Sequence, residues 1–213
     1  MADLAAELPH PQRLALSYAP AEARAATLAL MALDVRLAAI LRGRREPIAA
    51  QLRLAWWRET LARPPADWPR GEPVLEALRG WRDASGLAEL AEGWEALLAE
   101  QLTPGVVAEF AAGRAQAFAC LARELGVAAT GDVERAARIW ALADLAAHLS
   151  DGAERALVVE EGRALTLPKL PRTLRPLAVL AGLGARALRL GGAPLLGGPG
   201  AVLLALRIGL CGR

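Results

Sequence analysis

Apolar residues recur at three- and four-residue spacing along most of this chain, and Pro and Gly cut the pattern into helix-length pieces. The stretch from Pro20 to Gly43 carries Leu28, Met31, Val35 and Ala38 at helical spacing. A second run, "EPIAAQLRLAWWRETLAR", reaches Arg63 and is stopped by Pro64 and Pro65. "EPVLEALRGW" and "SGLAELAEGWEALLAEQL" predict two shorter helices hinged around Gly80 to Gly86. Thr103 as a cap, Pro104 at a first helical position and Gly126 past an end bracket another helix. "DVERAARIWALADLAAHLSD", "LPKLPRTLRPLAVLAGLGARALRLGG" and "PGAVLLALRIGLCGR" complete the set. Period-two alternation is nowhere sustained, which predicts an all-α fold. Residues 65–72 are the only stretch resembling a linker and are too short to separate domains. The expected organisation is an N-terminal tail over residues 1–14 and one helical domain over 15–213.

Composition strengthens this reading. Of 213 residues, 54% are hydrophobic and only 4% aromatic, and Ala and Leu enter helices at little cost. A net charge of +2 gives no global field that calls for nucleic acid. The charge is uneven, however. No acidic residue follows Glu161, whereas Lys169, Arg172, Arg175, Arg186, Arg189, Arg207 and Arg213 do. Such a basic, apolar C-terminal region suits a membrane surface or an acidic protein partner. A core-facing helix pair with a cationic rim is the favoured reading, because isolated charges usually mark a solvated face. The start, with Asp3 and Glu7 and no apolar run, does not read as a signal peptide. The uncharged run near the end is broken by Gly and Pro and is shorter than the ~20 residues a spanning helix needs. A cytoplasmic protein, peripheral at the inner membrane if attached at all, is expected.

Chemistry-bearing motifs are sparse. "GLGARALRLGG" lacks the strand and the Lys-Ser or Lys-Thr of a phosphate loop, so Gly182 and Gly184 are assigned to helix packing. His10 and His148 have no second ligand at metal spacing, and Cys120 and Cys211 form no pair. His148 is expected in the core or at a rim. Ser17, Ser85 and Ser150 have no nucleophile setting.

The adjacent tryptophans stand out. On a helix Arg53 and Trp57 are four residues apart and can stack as a cation–π pair. Neighbouring residues point about 100° apart, so Trp56 and Trp57 together predict a helix buried around most of its circumference.

Four stretches carry a family resemblance. "ALMALDVRLAAIL", a short turn ending in Pro, and "IAAQLRLAWWRETL" resemble the first two helices of the squalene/phytoene synthase family. "RLAWWRETL" is the most specific element, and it is similar to the divergent branch that includes relatives of the mitochondrial complex I assembly factor. "LTPGVVAEFAAGRAQAFACLARELG" and "IWALADLAAHLSDGAERA" resemble the family's cavity helix and the helix of its second aspartate-rich motif. The resemblance spans residues 15–190. It implies a single-domain helical bundle of the isoprenoid synthase type. Active members join two prenyl diphosphates in a central cavity, with magnesium held by two Asp-x-x-x-Asp pairs.

That chemistry needs carboxylates to hold the metal that absorbs the leaving diphosphate's charge. Through the Leu-Asp of "MALDVRLAAIL", the first pair falls on Ala38 and Arg42. At the second, Asp151 matches one aspartate and Arg155 takes its partner's place, with Glu154 beside it and Asp144 at a family glutamine. "GRALTLP" keeps a later family element without its tyrosine. The resemblance therefore implies a protein that has lost most metal-binding aspartates. The expected role is non-catalytic binding or assembly, with no catalytic residue and no cofactor. The expected ligand residues are Arg42, Arg53, Trp57, Asp144, Asp151 and Arg155, with Arg42 and Arg155 able to grip an anion directly. A groove lined by "ALMALDVRLAAIL", "AAGRAQAF" and "IWALADLAAHL" is expected, with Trp140 in its wall and both Trp56 and Trp57 as anchors. Two alternatives stay open: an active prenyltransferase with Mg2+ on Asp34, Asp144, Asp151 and Glu154, and a carrier of a lipid or isoprenoid ligand.

Overall fold

The computed structural model describes residues 4–42 and 47–212. The helix stop expected at Gly43 and the basic residue Arg213 lie outside the described residues. Ten α-helices and no strand occur among them, in agreement with the all-α expectation. They are α1 (His10–Ser17), α2 (Ala21–Arg42), α3 (Pro47–Leu61), α4 (Pro73–Leu78), α5 (Leu87–Ala96) and α6 (Pro104–Glu124). α7 (Gly131–His148), α8 (Gly152–Arg163), α9 (Arg175–Arg189) and α10 (Pro199–Cys211) follow.

The helices pack in a chain of neighbours, α3 on α5, α5 on α6, α6 on α7, α7 on α9 and α9 on α10. α2 lies across α4, α5 and α6, and α1 docks on α9. The boundary drawn between residues 14 and 15 falls inside α1, whose Gln12, Ala15 and Leu16 are buried.

Small residues set how closely the axes approach. At Gly113 on α6 a Cβ would stand 2.2 Å from the Glu89 carbonyl oxygen, and Gly93 on α5 faces it with no room to spare. This crossing holds the next residues, Trp94 and Arg114, side by side. Gly184 meets Ile139, Trp140 and Ala143 of α7, while Gly182 lies under Ile208 of α10. Both glycines thus have the packing role expected of them.

Two expectations need correction. α3 is not buried around most of its circumference: Ile48, Leu52 and Trp56 are exposed, and of the two tryptophans only Trp57 enters the core, with Ala50, Leu54 and Leu61. One tryptophan anchors the helix, and the other stands edge-on to it, with ring centroids 5.1 Å apart. The helix expected to run through Asp151 also ends at His148. Leu149 turns extended, and the Asp151 carboxylate accepts hydrogen bonds from the amides of Ala153 and Glu154 to start α8.

Candidate functional site

Four apolar-surrounded helices each bring one polar side chain to the same point. Asp34 comes from α2, Trp94 from α5, Arg114 from α6 and Asp144 from α7. Arg114 is 1% exposed and Asp34 3% exposed, a burial that charged groups reach only when paired. The guanidinium Nη2 donates to Asp34 Oδ2 at 3.0 Å and to Asp144 Oδ2 at 3.2 Å. Nε donates to Asp34 Oδ1 at 3.3 Å and Nη1 to Asp144 Oδ2 at 3.2 Å. The Trp94 indole N–H donates to Asp34 Oδ1 at 2.9 Å. Aromatic rings close the remaining sides: the guanidinium carbon lies 4.2 Å from the Trp140 ring centre, 5.0 Å from Phe110 and 5.4 Å from Trp94. One cation is thus wrapped by two carboxylates and three ring faces, an arrangement favourable to positive charge.

Burial pushes the Asp34 carboxyl above the ordinary carboxylate range. Arg114 and the Trp94 hydrogen bond oppose that rise, but Arg114 is shared with Asp144, whose negative charge adds to it.

A cavity of about 780 Å3 opens beside the cluster. Its lining comes from the three stretches expected to form a groove: Asp34, Val35 and Ala38 on α2, Arg114 on α6, and Asp144 and His148 on α7. The loops before α1 and after α9 complete it through Pro9 and Leu195. The size is that of a small-molecule site.

The six expected ligand residues divide. Asp144 is at the heart of the cluster, and Arg42 is an exposed residue on the cavity lining. Asp151 caps α8, and Arg155 is turned to the Leu149 carbonyl; neither lines the cavity, although Glu154 does. Arg53 and Trp57 sit on α3, away from it. Arg53 donates to the Ala49 carbonyl at 3.0 Å, and no cation–π pair joins it to Trp57 among the described residues. Trp140 is fully buried beneath Arg114 rather than in the cavity wall. His148 is an exposed rim residue whose Nδ1 lies 2.7 Å from the Asp144 carbonyl oxygen. Sequence reasoning passes over Arg114 and Trp94. The available signal is a lone charge inside "FAAGRAQAFAC", an otherwise uncharged helical run.

Magnesium, which the family resemblance implies, does not fit these residues. Asp34 and Asp144 converge on a guanidinium, so a divalent cation bridging the two carboxylates would have to displace the buried Arg114 side chain that sits between them. Asp151 is spent on the start of a helix. Among the described residues no group of three or more His, Cys, Asp or Glu is arranged to hold a metal ion.

A comparison with curated proteins and with solved structures found no match. A family model did match: residues 12–102 fit squalene/phytoene synthase, a segment that contains α2 with Asp34 and α5 with Trp94. The matched segment ends just before α6, somewhat short of half the chain. Over this segment the chain is similar to the squalene/phytoene synthase family.

Proposed function

We propose that this chain is a member of the squalene/phytoene synthase family, and a non-catalytic, ligand-binding one. The observation that carries the reading is the Arg114 guanidinium seated between Asp34 and Asp144. In a metal-dependent prenyl transfer, carboxylates at the cavity must stay free to bind magnesium and screen a departing diphosphate. Here a buried guanidinium already engages the pair from within the fold. The cavity remains roomy, so binding is retained where ionisation of a diphosphate is not supported. A lipid or isoprenoid carrier is one form of this role. Incubation with farnesyl or geranylgeranyl diphosphate and magnesium tests it. No condensed product is expected; product that disappears in Asp34→Asn or Asp144→Asn would restore the prenyltransferase reading.

A different face favours a second reading, peripheral attachment to an anionic membrane surface. Val202, Leu203, Leu206 and Leu210 form an exposed apolar strip on α10, and Arg189 and Arg207 are exposed on the same basic C-terminal region. The absence of acidic residues after Glu161 suits a negative surface. No described helix is long and apolar enough to cross a membrane, and contact through this strip would be peripheral. An assembly role of the kind the divergent branch suggests, at the inner membrane, would use the same face. Co-sedimentation with phosphatidylglycerol vesicles that Leu206→Glu abolishes is the expected result. A wild-type chain that stays in the supernatant removes the reading.

A further inference from the structure

We propose that the cavity beside the Asp34–Arg114–Asp144 cluster selects amphiphiles with an amine head and an apolar tail, opposite in charge to a prenyl diphosphate. The inference deepens the non-catalytic binding reading and rests on it.

The deep end of the cavity decides the sign. It holds two carboxylates and one guanidinium, a formal charge of −1 in a site screened from water. Arg114 cannot offer itself to an anion, because its Nε and both terminal nitrogens already face Asp34 or Asp144. Asp144 keeps spare capacity: the guanidinium takes only its Oδ2, while Oδ1 lies 3.8 Å from the His148 ring at the rim. An ammonium carries three donors and no acceptor, which suits such an oxygen. Two further carboxylates, Glu100 and Glu154, line the cavity farther out, against Arg42 as the one other arginine among the described lining residues.

The walls favour the same class. Trp94 and Phe110 line the cavity and already share the surroundings of one cation, and an aromatic face attracts a second at no cost in hydrogen bonds. Val35, Leu41, Leu102, Val106, Leu145 and Leu195 supply an apolar lining for a tail. A diphosphate headgroup would meet two carboxylates with no metal to mask it. The global charge does not account for the preference, since a net +2 would draw anions.

Matched probes isolate the headgroup. Dodecylamine, dodecanol and dodecyl phosphate, each below its micelle concentration, are titrated into the full chain and followed by calorimetry and Trp fluorescence. Dodecylamine should bind at least about tenfold more tightly than dodecyl phosphate, with dodecanol between. Asp144→Asn should erase most of that preference. Glu154→Gln, on the first turn of α8 where folding is little at risk, should reduce it by a smaller factor, with circular dichroism unchanged. Equal affinities, tighter binding of the phosphate, no binding of any probe, or a preference that survives both substitutions would overturn the proposal. Failure here is distinct from failure of the binding role itself: turnover of farnesyl diphosphate with magnesium would sink both, whereas an amine-blind cavity without turnover sinks only this one.

Discussion

The chain places tryptophans in two very different settings. On α3, Trp56 and Trp57 are neighbours in sequence, and one of them is 45% exposed. Around Arg114, Trp94 and Trp140 stand 46 positions apart in the chain on different helices, and both are buried. The adjacent pair is conspicuous and does the work of one residue, packing α3 onto the bundle. The dispersed pair is unremarkable in sequence and encloses a charged cluster at the edge of the cavity. The difference lies in what each ring touches. Trp57 meets aliphatic core, where any large apolar side chain of the right shape serves, whereas Trp94 and Trp140 meet a guanidinium, which requires a ring face or an indole N–H at a set position.

Substitutions at the two regions should separate these roles, beginning with the largest effect. Arg114→Met leaves Asp34 and Asp144 buried without a counter-charge and should cost about 3–5 kcal/mol in urea unfolding. Combining it with Asp34→Leu and Asp144→Leu should recover most of that loss, because a cluster replaced whole leaves no orphaned charge. If the triple variant is as unstable as the single one, packing rather than charge pairing holds the centre together.

Trp57→Ala removes a core side chain and is expected to cost about 3 kcal/mol, while Trp56→Ala should cost about 1 kcal/mol or less. Comparable losses at the two positions would contradict the exposure of one ring. Gly113→Ala comes next. Its new methyl would press on the Glu89 carbonyl, so the variant should lose about 2 kcal/mol despite the gain in helix propensity, and α5 and α6 should move apart. A near-UV circular dichroism change around the Trp94–Phe110 contact, where the ring centres are 4.9 Å apart, would report that separation.

The smallest effect is a pH dependence whose sign differs between the interior and the surface. Hydrogen bonds from Ser85, then the Arg123 guanidinium, hold Asp83 down at about 2 against an ordinary 3.8. Its contribution is therefore present above pH 3.8 and is lost as pH falls toward 2. Asp83→Asn should cost less than about 1 kcal/mol at pH 7, as befits a solvent-screened pair, and progressively less as pH falls from 3.8 through about 2. Asp34 runs the other way. Burial raises its pKa, so the folded chain holds the proton more tightly than the unfolded one, and wild type loses stability as pH rises above 3.8. The stability of Asp34→Asn relative to wild type should therefore climb over that range. Parallel profiles for the two variants would reject the assigned environments.

Much of the scaffold is legible in the sequence alone. Thr103, Pro104 and Gly126 bracket α6 as capping chemistry requires, and Thr103 accepts from the Val106 amide at 3.3 Å. The α7–α8 break escapes the pattern because Asp151 sits in a helical periodicity that continues across it, and nothing local distinguishes a capping aspartate from a surface one. Asp144 stands out by its place in a family motif, and it is in the cluster. Arg53 stands out by its spacing to Trp57, yet a four-residue separation permits a contact without requiring it, and the guanidinium bonds to the backbone instead.

Periodicity, Ala and Leu content and the spacing of Pro and Gly are enough to determine an all-α chain, because helix formation depends on near neighbours and on a continuous apolar face. Which carboxylates are buried together, which tryptophan is spare and where Arg114 points depend on helices meeting across 60 and 80 positions of sequence. Those contacts exist only once α2, α5 and α7 have packed around α6, with the glycines of α5 and α6 setting one of these approaches, a juxtaposition that no local pattern encodes.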